Sequence, residues 1–102
     1  MRLTPEAIAA IKRLVAETYG PEATVRLFGS RVDDARRGGD VDLLVELSEA
    51  GPPGLDPFWT PLRLRRRLEE ALRGRKVDLL VHRSQELAPP IVEIARETGV
   101  RL

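Results

Sequence analysis

Residues 39–47 read GDVDLLVEL (Gly39–Leu47). The centre, Leu43-Leu44-Val45, is apolar without a break. A short apolar run of this kind predicts a strand covered on both faces, and hence a central strand of a sheet. Asp40 and Asp42 stand at its mouth. Residues two apart in a strand point to one face and lie roughly 6.6 Å apart along the chain. The two carboxylates therefore project together, while Val41 and Leu43 point into the other layer. Like charges so placed repel, and a chain accepts that where something positive sits between them.

Working outward, RVDDARRGG (Arg31–Gly39) is polar and predicts a helical turn before the paired glycines. TVRLFGS (Thr24–Ser30) predicts a strand whose apolar content is Val25, Leu27 and Phe28, stopped by Gly29. Before it, Thr4-Pro5-Glu6 is a helix start: an N-cap threonine, proline at the first helical position, and an acid in the first turn. Ile8, Ile11, Leu14, Val15 and Thr18 recur at helical spacing, and Gly20-Pro21 ends the helix. On the other side, SEAGPPGLDPFWTP (Ser48–Pro61) predicts a loop. PLRLRRRLEEALRGR (Pro61–Arg75) predicts a helix with Leu64, Leu68, Ala71 and Leu72 on one face and Gly74 as its cap. KVDLLVH (Lys76–His82) predicts a third strand, and APPIVEIARETGV (Ala88–Val100) a last short helix ending near Gly99. The expected fold class is α/β (α+β): helices packed on a small mixed sheet of three to four strands.

The chain's 102 residues fit a single domain spanning 1–102, with little left for a second substrate-binding lobe. Hydrophobic residues at 42% and charged residues at 32% describe a globular rather than a disordered chain. A net charge of +1 supplies no global field for nucleic acid. There is no apolar run of membrane-spanning length and no signal-peptide core at the N-terminus. The absence of cysteine removes disulfides and thiolate ligands, and agrees with a cytoplasmic location.

The third predicted strand echoes the central one, because Asp78 alternates with Val77 and Leu79. If the two strands are neighbours, about 4.8 Å apart, Asp40, Asp42 and Asp78 can converge. Three carboxylates in one cleft need a counter-charge, and oxygen donors suit hard cations such as Mg²⁺ or Mn²⁺. Two such ions about 3.5–4 Å apart can activate an attacking hydroxyl and hold a leaving phosphate. Gly29-Ser30 supplies a complementary element, since glycine lets the backbone approach closely and exposed N–H groups hold phosphate oxygens. The chain has neither a Walker loop nor a Gly-x-Gly-x-x-Gly turn.

The order Gly29-Ser30, then Gly39-Asp40-Val41-Asp42-Leu43, then Asp78 on a following strand resembles the DNA polymerase beta-type nucleotidyltransferase superfamily. The short chain and the stretch LFGSR…GGDVDLLVEL resemble its minimal nucleotidyltransferase (MNT) branch. The resemblance spans roughly Val25 to His82, and weakly the terminal ETGVRL. It departs at Gly39, where this branch often has serine. The resemblance implies that Asp40, Asp42 and Asp78 hold two Mg²⁺ or Mn²⁺ ions. Gly29, Ser30 and Arg31 would bind the phosphates of a nucleotide triphosphate, with ATP as substrate. It also implies a partner, a small helical HEPN toxin, which an MNT antitoxin modifies on a tyrosine.

Bland readings stand beside these. Asp40 and Asp42 could be a solvated strand end, and Asp78 a strand-edge charge or a salt-bridge partner for an arginine of the preceding helix. Ser30 could cap a turn, and Arg31 could pair with Asp33 or Asp34. His82 alternates onto the face of Asp78, but at a strand end it is expected to be exposed. RLRRRLEE is expected to be a solvated helix rather than a nucleic-acid patch. Phe58 and Trp59, half of the chain's aromatics, either cap the core or face a partner. Three functions follow: AMP transfer to a partner protein, neutralisation of a partner by docking alone, or transfer to a small acceptor such as an antibiotic. The last needs a pocket that one small domain builds only by forming a homo-oligomer.

Overall fold

The computed structural model describes residues 3–28, 41–48, 54–83, 87 and 89–102. Helix α1 (Pro5–Tyr19) begins where Thr4 Oγ1 accepts the Ala7 N–H at 3.1 Å. It ends at Gly20, whose φ of 97° suits glycine and whose N–H donates to the Ala16 carbonyl. Ile11, Leu14, Val15 and Tyr19 form its buried face. Tyr19 was not among the residues expected there. Thr18 instead donates its hydroxyl to the Leu14 carbonyl at 2.8 Å, one turn back along the helix.

Strands β1 (Thr24–Phe28), β2 (Val41–Leu47) and β3 (Val77–Arg83) are joined by β4 (Val100–Arg101), giving the sheet order β3-β2-β1-β4. The pairs β1–β2 and β1–β4 are antiparallel, and β2–β3 is parallel. Parallel neighbours require a crossover, supplied here by helix α2 (Trp59–Ala71). β2 is the central strand expected from its sequence: Leu43, Leu44 and Val45 are all fully buried.

The period-two alternation sorts the side chains into two layers. Val41, Leu43, Val45 and Leu47 join Val25, Leu27 and Val77 against α1 and α2. Phe28 and Leu44, with Leu80 beside them, pack against Val92 and Ala95 of helix α3 (Pro90–Thr98). The sheet is thus covered on both faces, and each fully buried Leu, Ile or Val contributes roughly 1.5–3 kcal/mol. Gly99 ends α3 where the backbone of β1 lies close. A Cβ there would press onto the Ala95 carbonyl oxygen and come within 3.0 Å of the Leu27 carbonyl oxygen.

Three details correct the expected elements. α2 starts at Trp59, two residues before Pro61, because Asp56 Oδ1 accepts the N–H groups of Phe58 and Trp59 at 2.8 and 2.7 Å. Its buried face is Thr60, Leu64, Leu68 and Leu72, while Ala71 is exposed. Its cap uses two left-handed residues, Arg73 (φ 60°) and Gly74 (φ 85°). Gly74 N–H donates to Glu69 O and Arg73 N–H to Glu70 O, the Schellman pattern, with arginine where glycine is usual. Among the described residues no helix is long and apolar enough to cross a membrane.

Candidate functional site

The parallel ladder of β2 and β3 sets Val41 against Val77 and Asp42 against Asp78. Strand alternation points both carboxylates to the face that α3 covers further along, where Leu44 and Leu80 pack. Both sit near the start of their strands, ahead of that apolar row. Across β2 on the other side, Asp42 is in register with Phe28, the last residue of β1. Asp42 is half-buried and Asp78 exposed. Among the described residues Asp78 makes no ion pair, so its reading as a partner of an α2 arginine finds no support, whereas an exposed charge on the edge strand β3 fits what is seen.

Asp42 and Asp78 are hard oxygen donors on adjacent strands, and that donor chemistry suits Mg²⁺ or Mn²⁺. Among the described residues no group of three acidic or histidine side chains gathers. Asp42 and Asp78 by themselves make no such group, and the expected third donor is Asp40. Gly29, Ser30, Arg31 and Asp40 lie outside the described residues, as does the expected helical turn over Arg31–Gly39. The strands do fix where that segment leaves and returns. It departs after Phe28 and rejoins at Val41, beside the Asp42–Asp78 pair.

The sequence reading of His82 as exposed is wrong. It is 5% exposed, on the same face as Asp78 but two rows further along β3. The cause is tertiary, because α3 lies over this part of the sheet and brings Arg96 to it. Arg96 donates from Nε to Glu46 Oε2 at 2.9 Å, with Nη2 2.7 Å from the same oxygen. Its Nη2 is 3.4 Å from His82 Nδ1, and Arg26 Nε is 3.6 Å from Glu46 Oε1. That last spacing is an ion pair but too long for a hydrogen bond, which leaves the buried Arg26 Nε without one. The hydrogen bond to Glu46 pushes the Arg96 pKa up from its already high value. This cluster joins β1, β2, β3 and α3, and the sequence offered no signal for it beyond the alternation of Glu46 and His82 with apolar residues.

The α2 arginines are exposed, as expected for a solvated helix. Arg66 pairs with Glu70 at 3.7 Å, and Arg67 reaches across to Glu17 of α1 at 3.0 Å. Phe58 and Trp59 do not cap the core: they are 63% and 53% exposed and pack edge-to-face, with centroids 4.9 Å apart. A cleft of about 510 Å³ opens between the start of α1 and the end of α2, and neither Asp42 nor Asp78 lines it. Compared with known proteins, the chain matches no family model and no curated protein.

Proposed function

We propose that this protein is a metal-dependent nucleotidyltransferase that transfers AMP from ATP to a hydroxyl acceptor. The acceptor we assign is a tyrosine of a small helical HEPN-type partner, which makes the chain an MNT-type antitoxin of the cytoplasm. The observation that carries the reading is the register pairing of Asp42 with Asp78, on one face of adjacent parallel strands, at the end where the Gly29–Asp40 segment rejoins the sheet. Asp40, Asp42 and Asp78 would hold two divalent cations, which supply charge neutralisation for a triphosphate and its acceptor. Gly29 and Ser30 bind the β and γ phosphates, and Arg31 adds a positive charge beside them. The acceptor oxygen bonds to the α-phosphorus, the bond from that phosphorus to the pyrophosphate oxygen breaks, and the hydroxyl proton passes to Asp78.

The test is incubation of the chain and its co-purified partner with α-labelled ATP and Mg²⁺ or Mn²⁺. Wild type is expected to label the partner, and Asp42→Asn and Asp78→Asn to lose at least about 100-fold of that transfer with folding intact. The proposal fails if wild type transfers no label under conditions where a control enzyme does, or if both variants label normally. A second reading, a binding module that neutralises its partner by docking, is favoured by the exposure of Phe58 and Trp59. It predicts that Asp42→Asn still neutralises the partner in cells.

A further inference from the structure

We infer that this chain self-associates head to tail, with the Phe58–Trp59 corner of one copy seated on the outer row of α3 of the next. Among the described residues two apolar patches stand exposed on helices. One is the aromatic pair at the start of α2. The other is Ile91 and Ile94, three residues apart on one side of α3 and both about half-exposed.

Charge decides which patch meets which. Arg63 and Arg66 follow Trp59 by four and seven residues, on the same side of α2, and Arg63 is near enough to help hold the Asp56 carboxyl low. Glu70 offsets part of Arg66. On α3, Glu97 lies one turn beyond Ile94, and Glu93, one turn before Glu97, directly precedes Ile94. Arg96, the only cation of α3, is turned inward onto Glu46, although Glu93 also reaches it at 3.3 Å. Pairing either patch with its own copy would set arginines against arginines or glutamates against glutamates. Pairing one with the other buries aromatic rings on isoleucines and matches basic with acidic flanks.

The two patches belong to helices on opposite faces of the sheet. A copy engaged through one patch therefore keeps the other free, and the contact is heterologous, building rings or open chains rather than a two-fold dimer.

The experiment is light scattering of the full chain over a concentration series, with Trp59→Asp and Ile94→Asp. Phe58→Asp and Ile91→Asp serve as second variants at exposed positions, with far-UV circular dichroism as the folding control. Wild type is expected to grow in mass with concentration, and less so in high salt. Each variant alone is expected to stay monomeric. An equal mixture of Trp59→Asp and Ile94→Asp is expected to double in mass and stop, because it retains one intact junction. A wild-type monomer at every concentration overturns the inference and leaves both patches to a different protein. So does association that neither variant alters, or a mixture that stays monomeric.

Discussion

Arg73 holds a left-handed backbone at the end of α2, a conformation that costs an L-residue roughly 1–2 kcal/mol. Nothing within the Schellman turn requires its side chain. Arg73→Gly is therefore expected to stabilise the fold by about 1 kcal/mol, read as a higher urea midpoint with an unchanged slope. Sequence reasoning placed glycine at this cap because Gly74 is the obvious candidate, yet the first left-handed residue is the one before it. The same limit shows at His82. Alternation assigned it correctly to the face of Asp78, but strand position gave no measure of burial, which comes from α3 and its Arg96. Asp42 and Asp78 were legible for the opposite reason. Two strands with the same Val-Asp-Leu-Leu-Val text, set parallel and in register, bring like residues side by side.

At the scale of elements, α2 starts on a carboxylate. The N–H groups of Trp59 and Phe58, in that order of effect, hold the Asp56 carboxyl below its usual 3.8. A depressed folded-state pKa means that this contribution is fully present above about pH 4 and is lost as pH falls through the lower folded value. Asp56→Asn is expected to keep the cap but flatten this part of the acid limb, seen as a smaller Tm loss between pH 5 and about pH 3 than in wild type. α3 depends instead on a close approach. Gly99→Ala drives a methyl toward two backbone carbonyls and to 3.2 Å from Phe28 Cβ, none of which can rotate away. It is expected to cost about 1–3 kcal/mol by chemical denaturation. The helices and three long strands were readable from periodicity and capping residues. β4 was not, since two residues carry no period, and only the antiparallel pairing with Arg26 and Leu27 makes them a strand.

For the whole molecule, the order β3-β2-β1-β4 puts one strand between two long neighbours and two helical layers. Amide hydrogen exchange should rank the elements accordingly. β2 is expected to exchange slowest, near the global unfolding limit, and β4 fastest among the strands; β4 protected as well as β2 would contradict this layering. The α+β architecture was legible because the uninterrupted apolar centre of β2 demanded cover on both faces. Of the expected site, only the juxtaposition of Asp42 and Asp78 was legible and falls on described residues; Gly29, Ser30, Arg31 and Asp40 lie outside them.

The pairing of β1 with β2 has an evolutionary consequence. Phe28 and Asp42 are paired in the β1–β2 ladder, and residues 29–40 connect the described ends of the two strands. Lengthening a connection whose ends are already clamped is cheap, about 0.6 kcal/mol for each doubling. Insertions between positions 32 and 39, which leave Gly29, Ser30, Arg31 and Asp40 in place, are therefore expected to retune what the scaffold recognises at little cost to its folding.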